Sequence, residues 1–434
     1  MINYIKEEYV DSVNVKELEE KTIQYLLQEL DPHSYYIPAK DLQSMNEPIE
    51  GEFEGIGIEF RIINDTVVVI NPIGGGPSEK VGIMPGDRIV SVNDSIIAGT
   101  GITNRDIMNL LRGKKGTEVK VGIKRNGSDE ILSFNIVRDK IPINSIEAAY
   151  MIDDETGYIK LSRFSRTSHE EFVNAAEKLL EQGMKKLIFD LTGNGGGLLE
   201  AAVDIADEFL PDKTLIVYTE GKARPRRSYY ATSKGILEDI PVAVLIDEGS
   251  ASASEIVAGA IQDNDRGIII GRRSFGKGLV QEPSTWPDGS AIRLTIARYY
   301  TPTGRSIQRP YDKGVEKYHE DYYNRLNNGE LITPDSIHFP DSLKYTTPKG
   351  KTVYGGGGIM PDIFVPIDTA HRTFYLSDLI YKGVIRQYAF DKIDKNRREW
   401  ISKYPNIQVF KNNYLISDKE LKEFIKYAEN KGVK

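Results

Sequence analysis

The segment PVAVLIDEGSASASEIVAGAIQD, residues 241–263, holds the side chains best placed to react. Its apolar run ends at Asp247, Gly249 permits a sharp turn, and a helical pattern starts within a few residues. A side chain at such a strand-to-helix corner stands above the sheet edge, beside N–H groups that no helix carbonyl uses. Those groups can stabilise an oxyanion. Three serines compete for the corner, at 250, 252 and 254. Ser252 with Glu255 also spells a capping box, so the same residue suits a plain helix cap. Its neighbours Ala251 and Ala253 are small, which equally suits a nucleophile that a bulky substrate must reach.

A serine hydroxyl attacks poorly until a base takes its proton. The chain has no cysteine, which excludes a thiol nucleophile, disulfides and thiolate metal sites. Its five histidines, at 33, 169, 319, 338 and 371, show no metal-ligand spacing. None lies near the serines in sequence, although a distant one can fold back. A lysine serves instead if burial depresses its pKa toward neutrality. Lys277, in RRSFGKGLVQ, directly follows the apolar run GIIIG, and its flanking glycines let backbone approach closely. If GIIIG pairs beside PVAVLID, the two strands end on one edge and Ser252 meets Lys277; otherwise Lys277 is a surface lysine. Ser274-x-x-Lys277 also spells the S-x-x-K signature of β-lactam-binding acylases. That chemistry needs one helical face, which Gly276 and Gly278 oppose, and the lysine-threonine-glycine partner is missing. The turn TGNGGG at 192–197 fits a dinucleotide fingerprint only loosely and can equally aim N–H groups at an oxyanion.

These residues need a scaffold, and the chain suggests a composite one. With 434 residues it exceeds one ordinary core, and two to four domains are expected. Residues 1–48 read as helical, with Leu18, Ile23, Leu26, Leu27 and Leu30 forming the stripe of a packing or dimer arm. Residues 49–140 carry five short β-rich runs, beginning GIGIEF, TVVVINP and DRIVSVND, with one helical stretch from Asn104 to Leu111. Residues 141–369 alternate strand and helix. There GYIKLSRF, KKLIFDL, TLIVYT, PVAVLID and GIIIG are strands, and Ser168 with Glu171 spells a capping box. That rhythm predicts an α/β architecture with a largely parallel sheet and crossover helices. Within it 310–365 is turn-rich, and YGGGGIMPD is an irregular glycine turn. Residues 370–434 read as helical, with Ser417 and Glu420 as a further capping box.

Composition narrows the function classes. A net charge of −8, with bases scattered among acids, offers no field for a nucleic-acid backbone. No apolar run of about 18 residues exists to span a membrane. The opening MINYIKEEYVDS lacks an apolar signal core, so the protein is cytosolic or its targeting segment lies outside this chain.

Taken in order, LDPHS at 30–34, GIGIEF at 55–60, GIMPGDRI at 82–89, DLTGNGGGLL at 190–199, GSASASEI at 249–256, FGKGLVQ at 275–281 and YYTPTGRSIQ at 299–308 resemble the carboxyl-terminal processing peptidases, the family of the tail-specific proteases. The match covers about residues 3–310, and GIMPD at 358–362 extends it. The resemblance implies a ClpP/crotonase-like α/β peptidase core, an inserted PDZ-like β-rich domain and helical N- and C-terminal segments. It implies Ser252 as nucleophile, Lys277 as general base and Gln281 as the residue holding that lysine. The N–H groups of Ala253 and Gly196 are the implied oxyanion donors, and Glu255 orients the dyad or only caps the helix. In the PDZ-like part, Gly55, Ile56, Gly57, Ile58 and Phe60 are the implied peptide-binding loop, with an amide nest for a terminal carboxylate and an apolar pocket. Protein or peptide substrates with accessible C-termini follow, with no metal or cofactor and an exported, typically periplasmic, location. One departure stands out: Thr192 occupies the place where the family usually has arginine. If that arginine fixes the turn or the substrate, activity here is weaker or differently regulated, and the alternative is a catalytically weak adaptor that only binds protein tails.

Overall fold

Val242–Ile246 is apolar at every position, the pattern of a strand buried between neighbours. In the computed structural model, which describes residues 1–370 and 373–433, it lies inside a six-stranded sheet. The order is Ile146–Met151, Thr156–Leu161, Lys186–Asp190, Val242–Ile246, Ile268–Gly271 and Ile363–Phe364. The first pair is antiparallel and every later pair parallel. Helices Ser168–Glu181, Leu199–Asp207 and Ala253–Asp263 lie on the connections between these strands. Phe172, Phe189 and Phe209 pack at the centre of the core with Ile205, Val244 and Val257.

A second sheet corrects one expectation. Leu215–Gly221, read above as another member of the parallel series, instead pairs antiparallel with Arg224–Tyr230 and Ala291–Tyr300. Ala291–Tyr300 also takes Leu279–Thr285 and the three-residue strand Tyr35–Ile37. That last strand interrupts the N-terminal region, whose other elements are the helices Ile2–Glu8, Val15–Gln28 and Ala39–Glu50. The helix start at Ser168 also differs from its reading as a cap. Thr167 is the N-cap, because the buried Ser168 hydroxyl is drawn to those of Ser145 and Ser165 at 2.7 and 3.0 Å. Glu171 instead accepts from the Ser145 N–H at 2.6 Å.

Contacts group the chain into two units, where the sequence suggested four segments. One comprises Met1–Glu52 and Ile143–Ile367, the other Phe53–Pro142 and Asp368–Lys434. In the second unit, strands Ile58–Ile63, Thr66–Pro72, Arg88–Val92, Glu118–Lys124 and Ile131–Val137 neighbour one another in sequence order. Helix Asn104–Leu111 opens on a full capping box between Thr103 and Asp106, and Ile107 and Leu111 enter the core beside Val67, Ile89 and Val121. The C-terminal helices pack on this module. Asp394 accepts from the Arg88 guanidinium at 2.5 Å, and its carbonyl takes the Asn126 amide. Ser417 caps helix Asp418–Asn430 through the Glu420 N–H at 3.2 Å, whereas the Glu420 carboxylate turns to Lys392 and Tyr414.

Candidate active site

Long-range hydrogen bonds distinguish the three serines. Ser250 is buried and donates to the Leu191 carbonyl at 2.8 Å; Ser254 is buried and donates to the Asn194 carbonyl at 2.8 Å. Both hydroxyls pin this corner to the glycine turn. Ser252, half-buried between them, faces a cavity of about 890 Å³. Its φ of 56° and ψ of −111° are unusual for a residue with a β-carbon, a strain worth of order 1–3 kcal/mol. The turn of the chain that exposes Ser252 also frees the next amide: among the described residues, the Ala253 N–H has no intramolecular acceptor.

Across from this corner runs the glycine turn. A β-carbon on Gly196 would fall 2.9 Å from both Ser252 Cβ and Ala253 N, and 2.6 Å from the Ala251 carbonyl oxygen. Only glycine permits that approach, and its φ of 97° requires the same residue. The Gly196 N–H is itself engaged, donating to Asn194 Oδ1 at 2.9 Å. The N–H groups of Gly195 and Gly197 on either side have no such partner among the described residues.

Ile268–Gly271 runs parallel to Val242–Ile246, with Gly271 opposite Ile246, so the two strands end together. The loop that follows brings Lys277 into the cavity that Ser252 lines. Its ammonium donates to Gln281 Oε1 at 3.1 Å, and the Gln281 amide donates in turn to the His33 carbonyl. Burial holds the Lys277 pKa below its ordinary 10.5, aided by the cationic Arg293, while Glu255 and Asp31 pull the other way.

Glu255 does more than cap. Fully buried, its carboxylate accepts from the Ser252 N–H and the Lys277 N–H through one oxygen, each at 2.8 Å. Through the other it accepts from the Gly276 N–H at 2.7 Å and the Ser274 hydroxyl at 2.5 Å. Burial pushes this carboxyl up, against the four donors that hold it down. Tyr299, which the sequence reading did not single out beyond its matched segment, makes a second link. Its buried hydroxyl lies 3.0 Å from the Ser252 carbonyl oxygen and 2.6 Å from that of Lys277.

A histidine does fold back, but not as a base for the serine. His33 is held at about 3 by burial first and then by the neighbouring Lys277 charge, so its ring is neutral. Its Nε2 meets the Tyr318 hydroxyl at 2.8 Å, and the residue is not among those lining the cavity. His169 pairs with Glu208 at 2.7 Å, and His371 lies outside the described residues.

The Thr192 departure has a structural answer. Thr192 Oγ1 donates to Asp190 Oδ1 at 2.7 Å, and the Lys160 ammonium, from the adjacent strand, donates to Thr192 Oγ1 at 3.0 Å and its carbonyl at 3.2 Å. Lys160 also reaches Asp190 Oδ2 at 3.3 Å. A cation from the neighbouring strand thus fastens the turn.

In the second unit, Gly55 and Gly57 are buried and Gly57 has φ 72°. The N–H groups of Ile56 and Gly57 have no acceptor among the described residues, while the Ile56 carbonyl takes the Ser78 N–H at 3.0 Å. Ile56, expected to line a pocket, is a core residue at 2% exposure. Ile58 and Phe60 are partly buried on Ile58–Ile63, the end strand of its sheet.

The chain is similar to known proteins in two of its parts and over most of its length. Residues 155–318 match the model of peptidase family S41, residues 55–136 that of the PDZ domain, and residues 375–434 that of a family of unknown function. A carboxy-terminal-processing protease of Bartonella bacilliformis is 38% identical over 70% of this chain and 70% of its own length. The carboxy-terminal processing protease CtpB of Bacillus subtilis is 34% identical over 72% of this chain and 64% of its own. A solved photosystem II D1 C-terminal processing protease aligns at 27% identity and a TM-score of 0.43, over 84% of this chain and 85% of that one.

Proposed function

Because the chain belongs to peptidase family S41, among the carboxy-terminal-processing proteases, we propose that it hydrolyses peptide bonds near the C-termini of proteins with Ser252 as nucleophile and Lys277 as general base. The observation that carries this reading is that a strained serine and a desolvated lysine line one cavity, their backbones joined by Glu255. Neutral Lys277 takes the Ser252 proton as Oγ bonds to the peptide carbonyl carbon. The resulting oxyanion is held by the unengaged Ala253 N–H and an amide of the glycine turn. Gly196 supplies that second amide by releasing Asn194. Lys277 then passes its proton to the leaving amine as the C–N bond breaks, and activates the water that frees Ser252. Gln281 keeps the lysine aimed throughout.

The PDZ domain receives the substrate's terminal carboxylate at the Ile56 and Gly57 amides, with Ile58 and Phe60 against an apolar last residue. Capture of the tail raises the local concentration of the scissile segment. An unfolded protein ending in apolar residues is therefore expected to be cut, and amidation of its last residue to lower kcat/KM by roughly tenfold. Mass spectrometry of the fragments checks both points; a substrate cut equally well with a free or a blocked terminus removes the tail-recognition half of the reading.

The adaptor alternative loses its main motive, since Lys160 provides the turn with a cation despite Thr192. Lys160→Met is expected to loosen the turn and lower kcat/KM by about 10- to 100-fold, and Lys160→Arg to retain most of it. Steady-state kinetics on one peptide tests the pair. The exposed Tyr4, Tyr25 and Leu26 of the N-terminal helices support their role as a dimer arm.

A further inference from the structure

The active cavity carries more positive charge than its own acids can neutralise. Arg166 is matched by Glu50 at 2.6 Å and Arg224 by Glu282 at 2.7 Å, and all four line the cavity. Three further guanidiniums on that lining have no carboxylate partner among the described residues. Arg226, exposed, lies over the Tyr218 ring at 3.7 Å. Arg227, exposed on the outer strand Arg224–Tyr230, lies over the Tyr229 ring at 4.8 Å. Arg293, half-buried, donates to the Tyr35 hydroxyl at 2.8 Å. Glu200 is the one lining acid left without an ion pair among the described residues.

All three of these cations rest on aromatic or phenolic groups, which hold a guanidinium in place without cancelling its charge. They are therefore preorganised for an incoming anion. Arg227 stands across from Thr219 in the strand register, and both side chains line the cavity, so its charge faces the space a bound peptide fills. We infer that the cavity selects substrates with acidic side chains beside the scissile bond, Arg227 and Arg293 being the residues that read them. This rests on the peptidase reading for the word substrate, but the recognition itself concerns an acidic peptide segment and can be measured without turnover.

The probe is a set of fluorescent peptides of one length, carrying three Asp or Glu, the matching Asn or Gln, or three Lys. All are amidated at the C-terminus so that no terminal carboxylate is available to the PDZ domain. Binding to the full chain with Ser252→Ala is read by anisotropy. The acidic peptide is expected to bind about tenfold tighter than its neutral match at low ionic strength, with the gap closing as salt is added, and the Lys peptide to bind weakest. Arg227→Glu should reverse the order of acidic and basic peptides, and the milder Arg227→Gln should shrink the acidic preference. Equal affinity for acidic and neutral peptides, or a preference unmoved in both Arg227 variants, overturns the inference.

Hydrolysis of the same peptides by the parent protein separates the two ideas. Cleavage without charge preference overturns the inference and leaves the peptidase standing. Acid-selective binding with no cleavage of any peptide upholds the inference and overturns the peptidase.

Discussion

Replacing Lys277 by alanine is expected to reduce peptide hydrolysis by roughly four orders of magnitude or more, and Ser252→Ala by at least as much, because the two act as one unit. The double variant should then be no worse than either single one. The fold should survive: the Lys277 side chain makes one hydrogen bond, to Gln281, whereas the loop is tied through backbone groups to Glu255 and Tyr299. Lys277→Arg should be as inactive as the alanine variant, since a guanidinium stays protonated. The sign of the pH dependence follows from the direction of the lysine shift. Burial and Arg293 hold the pKa below 10.5, and the active form is the neutral amine. Activity should climb about tenfold per pH unit while the ammonium predominates, then level off above the depressed pKa. Initial rates on one peptide, with circular dichroism at each pH, provide the measurement; a flat profile with the fold intact would exclude Lys277 as the base.

The parts of this site that were legible in the sequence are those fixed by local pattern. A strand, a turn and a helix in immediate succession located the corner, and the glycines around Lys277 marked a close backbone approach. Which serine is left free of a long-range acceptor was not legible from residue types alone, because Ser250 and Ser254 are withdrawn by carbonyls 59 and 60 residues away. Resemblance chose Ser252, and the hydrogen bonds give that choice a physical reason. Leu215–Gly221 was read in the wrong sheet because an apolar run reports burial, not which strand lies beside it. Tyr35–Ile37 is too short to leave a period of its own, yet it borders the site through its pairing with Ala291–Arg293. Lys160 carried no signal at all: its value depends on the register that sets it opposite Asp190.

Glu255 separates an orienting role from a capping role by the size of its effect. A carboxylate that only caps a helix contributes about 1 kcal/mol, and its loss would leave the rate almost unmoved. Here four donors converge on a fully buried carboxylate, from Ser252, from Ser274 and from Gly276 and Lys277 at the head of the lysine loop. Glu255→Ala strands them all, and is expected to cost about 3–5 kcal/mol of stability. It should also lower kcat/KM by roughly 100-fold, because the Ser252 and Lys277 backbones lose the atom they share. Glu255→Gln should fall between. Its NH2 group must face either two backbone N–H groups, those of Ser252 and Lys277, or one, that of Gly276, together with a Ser274 hydroxyl able to rotate. The second orientation costs less and leaves the shared oxygen in place, so the glutamine variant should keep more activity than stability. Thermal unfolding and kinetics on the three proteins decide the matter. Stability losses near 1 kcal/mol with unchanged rates would reduce Glu255 to a cap and leave Tyr299 as the link between the two halves of the site.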